Sequence, residues 1–412
     1  MERTRSTRFS LRARWVLPVG RPPIEGGWVT VEGERIVCVQ RQRPDGERHD
    51  LGDVALLPGL VNAHTHLNFS DLAAPLGRPG MGLVDWLAEV TKYKLLTPSI
   101  KSAVEKGLHE SARLGTTTLA DISQNAPPTE SLDLSDVGLV SFLELIAPTN
   151  DRVNKQLRRA EAYLAAADGA TAWQAGLSPH APYSVQSGLL ARAVALSAER
   201  RVPLAMHLAE SREEIELIRH RRGPFREFLE QLGVWEPDHF PDGLSVLDYL
   251  RTLAGAHRAL IVHGNYLGDE EIAFLAAHAD RMAVVYCPRT HAFFGHETYP
   301  LAAMLAAGVV VALGTDSRAS SPDLSVLAEM REVHRRHPGV SPEAIVRLAT
   351  LGGATALGMS HRLGTIVPGR EADLTAVALP GGGGGKYSDP YRWLLESNGA
   401  VTAAWCRGQQ NS

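Results

Sequence analysis

Cysteine is scarce in this sequence, and its distribution excludes two kinds of structure. The chain of 412 residues has three cysteines, Cys38, Cys287 and Cys406, which are odd in number and far apart. They can form neither a disulfide framework nor a Cys-x-x-Cys metal knuckle. This usage is typical of a reducing compartment, so we expect a cytoplasmic protein.

Long hydrophobic runs and a large net charge are also lacking. The basic N-terminal stretch is not followed by the apolar segment of a signal peptide, and no run approaches the length of a membrane span. The formal net charge of −4 is too small to indicate a polyanionic partner. Basic stretches at 219–222 and 334–337 have helix-like, polar surroundings, typical of a solvated helix face. We expect no nucleic-acid and no membrane partner, and a homodimer is left open.

The Gly-rich stretch "PGGGGGK" at 380–386 lacks what a phosphate-binding loop requires. Pro380 stands where the first glycine of that motif belongs, and Tyr387 stands where Ser or Thr belongs. We predict a flexible surface loop there.

Short β-rich runs with turns occupy both ends of the chain. "WVTVEGERIVCVQ" predicts a hairpin, and "GTIVPGREADLTAVAL" and "AVTAAWCRGQ" have the same character near the C-terminus. The pattern predicts a small β-sandwich domain built from residues 1–57 and 365–412. Residues 58–364 form a second, larger domain in this division.

Eight apolar runs alternate with helix-like stretches between about residues 55 and 315. These runs are "VALLPGLVNAH", "TTTLADIS", "LVSFLELI", "WQAGLSPH", "VPLAMHL", "ALIVHGN", "MAVVYCP" and "VVVALGTDS". Eight β-α units are typical of a (β/α)8 or TIM barrel of the α/β class, and a doubly wound open sheet is the structural alternative.

Polar residues follow the runs and favour the barrel, because the C-terminal ends of barrel strands meet at one mouth. A helix cap would explain Asp121 or Glu144 alone, but it explains poorly why histidines follow four of the runs. In chain order the residues are His64 with His66, Asp121, Glu144, His180, His207, His263, Arg289 and Asp316.

Four of these residues form a candidate metal site. His64 and His66 are two apart, so on a strand they face the same side. His207 and Asp316 would reach the same mouth from the fifth and eighth strands. Three imidazoles and one carboxylate suit one zinc ion, with iron(II) as the alternative.

Glu210 and His263 are the candidate catalytic residues. Glu210 lies three residues after His207, where its carboxylate can move a proton from the attacking water to a substrate nitrogen. His263 can hold the same water. A metal lowers the pKa of bound water from about 15.7 to about 7, so hydroxide becomes available near neutral pH. The alternative for Glu210 is an acid that favours the positive end of a helix.

The chain resembles the amidohydrolase superfamily, in its mononuclear branch of deaminases and chlorohydrolases, including adenosine-type, S-adenosylhomocysteine and aminofutalosine deaminases. The similar segments extend along the whole barrel and into its junction with the β domain. They are "LLPGLVNAHTHLNFSD", "SPHAPYSV", "MHLAES", "IVHGNYL", "ALGTDS", "ATLGGATALG" and "GTIVPGREADL".

The resemblance implies specific roles. His64, His66, His207 and Asp316 match the metal ligands, and Glu210 and His263 match the residues that move protons. His180 is similar to a substrate-contacting histidine of the deaminases. It stands where binuclear members have a bridging group, which implies one metal. The implied fold is a (β/α)8 barrel with a flanking β-sandwich.

Three further residues are predicted to bind substrate. Asn68 lies in the first barrel loop and Trp86 in the "DWL" segment, and both are expected on the substrate side of the metal. Arg289 has two interpretations of equal weight. It contacts an anionic substrate group, together with His291 and His296, or it pairs with an acid of a loop. The acid that adenosine-type deaminases have after "DWL" is absent.

The first hypothesis is hydrolysis of a carbon–nitrogen bond that is not a peptide bond, by deamination of an amino-substituted heterocycle or nucleoside. The alternative is removal of a halide or alkylamine from a triazine-like ring, and a remote one is an inactive barrel for binding or assembly. The long 208–262 segment, with the aromatic stretch "GPFREFLEQLGVWEPDHF", is a lid, a dimer contact or a set of extra core helices.

Overall fold

The N-terminal part of the chain forms short strands that belong to a β domain. The structure is a computed structural model that describes residues 8–96, 100–125, 137–169, 173–380 and 389–411. The first strands are β1 (Arg8–Arg12), β2 (Trp15–Val16), β3 (Ile24–Glu25), β4 (Trp28–Glu32), β5 (Arg35–Gln40), β6 (Glu47–Asp50) and β7 (Val54–Pro58). The strands β4 and β5 pair antiparallel, so the predicted hairpin is confirmed.

The barrel strands follow in the order that the eight apolar runs predict. They are β8 (Leu60–Thr65), β9 (Thr116–Ser123), β10 (Gly138–Leu145), β11 (Trp173–Pro179), β12 (Pro203–Leu208), β13 (Arg258–His263), β14 (Met282–Tyr286) and β15 (Val310–Leu313). Every neighbouring pair is parallel. Three short C-terminal strands complete the β domain: β16 (Leu374–Ala378), β17 (Val401–Cys406) and β18 (Gln409–Gln410).

The first and eighth barrel strands meet and bring their functional ends together. A parallel bridge joins Thr65 to Asp316, and the backbone N–H groups of Thr315 and Asp316 both donate to the carbonyl of His64 at 3.1 Å. The predicted barrel with a small β domain is confirmed.

Helices alternate with the barrel strands, and four more follow the last of them, the final one between two strands of the β domain. They are α1 (Leu83–Leu96), α2 (Ile100–Arg113), α3 (Asn150–Ala167), α4 (Ser187–Arg200), α5 (Arg212–His220), α6 (Pro224–Gln231), α7 (Val246–Leu253), α8 (Asp269–Ala277), α9 (Pro288–Phe294), α10 (Leu301–Ala307), α11 (Val326–Arg336), α12 (Pro342–Arg347), α13 (Gly353–Ala356) and α14 (Pro390–Glu396). Among the described residues, no helix combines the length and apolar character that crossing a membrane requires.

Strands from both ends of the chain build the β domain. One sheet has the order β5-β4-β1-β6 and the other β18-β17-β16-β7-β2-β3. Leu11, Val29, Leu56, Leu374 and Trp405 are buried in one apolar cluster between strands of the two sheets. The division at residues 57/58 and 364/365 remains a prediction, and residues 381–386 of the Gly-rich stretch lie outside the described residues.

The first apolar run contains two strands rather than one. It divides at Gly59, where β7 of the β domain ends and β8 of the barrel begins. The Gly59 N–H donates to the carbonyl of Asp373 at 2.7 Å. A Cβ atom at this position would lie 2.0 Å from Oγ1 of Thr117. The chain can pass from sheet to barrel here because glycine leaves room for that close approach.

Candidate active site

The three predicted histidine ligands lie together at the mouth of the barrel. Nε2 of His66 is 3.3 Å from Nε2 of His207, and one ring nitrogen of each of His64, His66 and His207 lies within 4.8 Å of the others. The alternation of β8 places the two N-terminal histidines on the same side of the strand, with ring centroids 4.9 Å apart.

Asp316 brings the fourth donor from the end of the eighth strand. Its Oδ1 lies 3.6 Å from Nε2 of His64 and 3.8 Å from Nε2 of His66, while Oδ2 accepts a hydrogen bond from Ser320 at 2.8 Å. Burial alone would raise the pKa of this carboxyl, but the neighbouring imidazoles and the Ser320 hydroxyl outweigh burial and lower it. The backbone of Asp316 has a φ of 54°, in the left-handed region. This is a strained conformation of the kind found at functional sites.

The chemistry of these donors fits a divalent metal. Both ring nitrogens of His64 are buried without a hydrogen-bond partner, an arrangement that is costly unless something binds there. Burial, followed by neighbouring charges, lowers the pKa of His66 and His207 well below the usual range, so both rings are neutral. Nδ1 of His207 lies 3.0 Å from the backbone oxygen of His180, which can only accept. The proton is therefore on Nδ1, and Nε2 keeps the lone pair that a metal needs.

The two predicted catalytic residues are in contact beside this group. Oε1 of Glu210 lies 3.4 Å from Nε2 of His263, and both side chains are buried. Burial, and then the charges of Asp316 and Glu214, raise the pKa of Glu210 well above its usual range, and burial lowers that of His263. A carboxyl with a raised pKa next to a neutral imidazole is suited to taking up and releasing protons.

The backbone on either side of Glu210 is fixed by a buried acid. The carboxylate of Glu214 accepts the N–H groups of Ala209 and Glu210, each at 2.9 Å, and Asn265 donates to the Glu210 carbonyl at 2.8 Å. Ala209 has a φ of 55°, which is unfavourable for a residue with a side chain. These bonds hold the turn that directs Glu210 towards His263.

Replacing Glu214 with Gln is expected to destabilise the protein. Glutamine has one acceptor oxygen, so one buried N–H loses its partner, at a cost of about 1–3 kcal/mol. Urea unfolding measures the loss. The control is Glu216→Gln, since Glu216 pairs with Arg222 at the surface. Equal stability of the wild type and Glu214→Gln would contradict the holding role.

The difference in stability between the wild type and Glu214→Gln is predicted to depend on pH. Burial raises the pKa of Glu214 from an ordinary 4.5 to about 7, so the folded chain holds this proton more tightly than the unfolded chain. The stabilisation is complete below pH 4.5 and is lost as the pH rises towards 7. The stability advantage of the wild type over Glu214→Gln should therefore shrink across that interval, by at most about 1.4 kcal/mol per pH unit.

A cavity of about 400 Å³ opens above the histidines and Glu210. Its floor is polar, and most of its wall is apolar. The lining consists of His66, Phe69, Leu83, Trp86, Leu87, Val90, Thr91, Lys94, Glu144, Ile146, Pro148, Arg152, His180, Tyr183, Ser184, His207, Glu210, Phe228, Leu229, Leu232, Val234, His263, Asp316 and Ser317. A space of this size accommodates a nucleoside-sized molecule.

Two of the predicted substrate-binding residues line this cavity. Nδ1 of His180 lies 2.7 Å from Oγ of Ser184, and its Nε2 lies 3.9 Å from Oε1 of Glu144. The indole N–H of Trp86 donates to the carbonyl of Ala319 at 3.2 Å, which fixes the ring against the wall. Asn68 lies in the first barrel loop but is not part of the lining.

The structure places Arg289 outside the cavity lining. Its guanidinium donates to Oε1 of Glu329 at 2.5 Å and to Oδ1 of Asp323 at 2.8 Å. The structure therefore agrees with the second interpretation of Arg289, in which it pairs with an acid of a loop, here Asp323. Glu329, on helix α11, is a second acidic partner. His291 and His296 lie behind the same strand end, with ring centroids 5.4 Å apart, and they are not in the lining either.

The long 208–262 segment supplies one wall of the cavity. The helix α6 and the residues after it contribute Phe228, Leu229, Leu232 and Val234 to the lining. Phe225 of the same helix is buried, with its ring stacked at 4.2 Å on that of Tyr183. The segment therefore contributes both a wall of the cavity and additional core packing, and its roles as a lid or a dimer contact stay predictions.

Residue-by-residue reasoning on the sequence missed two cations in the lining, Lys94 and Arg152. The spacing of residues along helix α1 could have revealed Lys94. Leu83, Leu87, Val90 and Lys94 follow the spacing of one helix face, and all four line the cavity. The sequence did not show which way that face points.

Comparison with known proteins agrees with this geometry. Residues 55–410 match the model of the Amidohydrolase family. A 5-methylthioadenosine/S-adenosylhomocysteine deaminase of Moorella thermoacetica is 30% identical over 383 residues, which cover 88% of this chain and 84% of the relative. An aminodeoxyfutalosine deaminase of Deinococcus radiodurans is 29% identical over 356 residues, covering 81% of each chain.

A solved structure extends the likeness to the whole fold. The zinc-bound crystal structure of an adenosine deaminase from Xanthomonas campestris superimposes with a TM-score of 0.79, at 24% identity, covering 98% of this chain and 92% of that one. The family match covers most of the sequence, including every strand of the barrel. The chain belongs to the amidohydrolase family.

Proposed function

We propose that the protein is a metal-dependent aminohydrolase that deaminates an adenine-type nucleoside or a related aminated heterocycle. The observation that carries the proposal is the contact between Glu210 and His263 at the floor of the cavity, beside the four metal donors. Relatives with deaminase names support the reaction class. The contribution of individual residues is part of the proposal.

His64, His66, His207 and Asp316 are the proposed ligands of a single divalent ion, with zinc favoured over iron(II). Imidazole and carboxylate donors suit zinc, and a related structure binds it. Such an ion supplies water of lowered pKa, which can act as a nucleophile near neutral pH.

Glu210 moves the protons of the reaction. Its carboxylate accepts one proton as the water oxygen attacks the ring carbon that bears the amine, and it delivers that proton to the adjacent ring nitrogen. The high pKa that burial gives Glu210 favours retention of the proton until the ring nitrogen can accept it. His263 orients the attacking water by a hydrogen bond at Nε2. Glu210 then takes the remaining proton of the added hydroxyl group and delivers it to the amine. The carbon–nitrogen bond breaks, ammonia leaves, and a ring carbonyl remains.

His180 and Trp86 are the proposed contacts to the heterocycle. His180 lies directly behind the metal ligands, its ring 5.0 Å from that of His207, so its Nε2 can reach a ring substituent. Trp86 offers a flat apolar surface fixed by its own hydrogen bond. Substrate contact by Asn68 or Arg289 has less support, because neither lines the cavity.

The decisive experiment measures ammonia and halide release in parallel. The purified zinc-loaded protein is given adenosine, 5′-methylthioadenosine, S-adenosylhomocysteine, free adenine and a chlorinated triazine. We expect ammonia from at least one adenine nucleoside and no chloride from the triazine. Chloride release without ammonia release would transfer the proposal to the dehalogenase alternative. We also propose a cytoplasmic location and a homodimer. This assay tests neither of them.

A further inference from the structure

The wall of the cavity presents two cations at its outer part. Lys94 lies on α1 and Arg152 on α3, and both are exposed residues of the cavity lining. The ammonium of Lys94 is 5.4 Å from the centroid of the Phe69 ring, and that ring is 6.2 Å from the ring of His66. One aromatic side chain therefore separates the Lys94 charge from a proposed metal ligand.

Within the described residues, neither cation has an acidic partner at ion-pair distance. The neighbouring lysine of the same helix behaves differently, since Lys92 pairs with Glu89 at 2.7 Å. The acids of the lining are Glu144, Glu210 and Asp316, and all three are buried at the floor. The outer part of the cavity therefore has positive charge without a compensating carboxylate.

The charge of Lys94 creates a positive electric field in the outer part of the cavity, beside the apolar residues of the wall. A cleft with apolar walls focuses such a field on whatever enters it. A ligand with a negative group beside its reacting ring would gain from this field, and a neutral ligand would not.

We propose that Lys94 selects substrates that carry a carboxylate or a phosphate on the part of the molecule next to the reacting ring. The proposal rests on the proposed deaminase function and specifies its substrate class. Phe228, Leu232 and Val234 of the cavity wall would pack against the apolar part of such a substituent. A zwitterionic substituent is matched less well, because its ammonium finds no acid in the outer part of the cavity.

The test compares Lys94→Met with two matched variants. Lys94→Arg keeps the charge, and Lys92→Met removes a lysine of the same helix that does not line the cavity. The substrates are adenosine and 5′-methylthioadenosine, which are neutral, and adenosine 5′-carboxylate and adenosine 5′-phosphate, which are anionic. The measured quantity is the ratio of kcat/KM for each anionic substrate to kcat/KM for the neutral ones.

We expect Lys94→Met to lower this ratio at least tenfold for the carboxylate or the phosphate, and the more affected substrate identifies the anion. Lys94→Arg should largely restore the ratio, Lys92→Met should leave it unchanged, and added salt should reduce it in the wild type. Equal losses for neutral and anionic substrates in Lys94→Met, or the same loss in Lys92→Met, would overturn the proposal.

A binding measurement separates this inference from the proposed reaction. Calorimetry with adenosine 5′-carboxylate and adenosine is carried out on Glu210→Gln, with and without Lys94→Met. If no substrate releases ammonia from the wild type, the proposed function fails. The role of Lys94 is then still supported by a tenfold weaker affinity for the carboxylate alone, and it is overturned by equal affinities.

Discussion

Glu210→Gln is expected to lower kcat by about 10²- to 10⁴-fold, the range that positioned general acids and bases contribute. The amide keeps the shape of the side chain but cannot accept and return a proton. Because Glu210 is not among the four metal donors, metal content should stay at the wild-type level. Ammonia release under saturating substrate gives kcat, and elemental analysis gives the metal.

The control for this variant is Glu216→Gln, on the surface of α5 and outside the cavity. It should retain wild-type kcat. Unchanged turnover in Glu210→Gln would reduce the carboxylate to an acid at the start of a helix. Loss of metal together with turnover would make it a ligand.

His66→Ala is expected to weaken metal binding by at least about 100-fold, since even indirect support of a metal ligand contributes 10- to 100-fold. Its Nε2 lies 3.3 Å from that of His207 and 3.8 Å from Oδ1 of Asp316, at the centre of the donor set. Activity should fall in proportion to the metal lost on dialysis and return in part at high zinc concentration.

A surface histidine provides the comparison. His220→Ala, at the end of α5, removes an exposed imidazole outside the cavity lining and should keep both metal and activity. Full metal content in His66→Ala after dialysis would show that the ion, if present, is bound elsewhere.

The fold could be predicted from the sequence because eight apolar runs of strand length alternate with helical patterns. The candidate site could be predicted from the residues at the C-terminal ends of the strands. A parallel barrel brings those ends together, independently of how the helices pack. His64 and Asp316 are far apart in sequence, yet the bridge from Thr65 to Asp316 makes them neighbours.

Features that depend on packing between distant segments could not be predicted. The pairing of Arg289 requires Glu329, forty residues later, to turn inwards from α11. The cavity wall after Gly223 depends on how α6 lies across Tyr183, which its own periodicity does not determine. Lys94 was missed for the same reason, because a helix face can be identified from spacing while its direction is set by tertiary packing.

The most direct test of a single-metal deaminase measures ammonia release against the number of zinc ions bound per chain, starting from metal-free protein. We predict no release without metal, a proportional rise, and a plateau at one ion per chain. Undiminished release from the metal-free protein, or a plateau reached only at two ions per chain, would contradict a mononuclear metal-dependent mechanism.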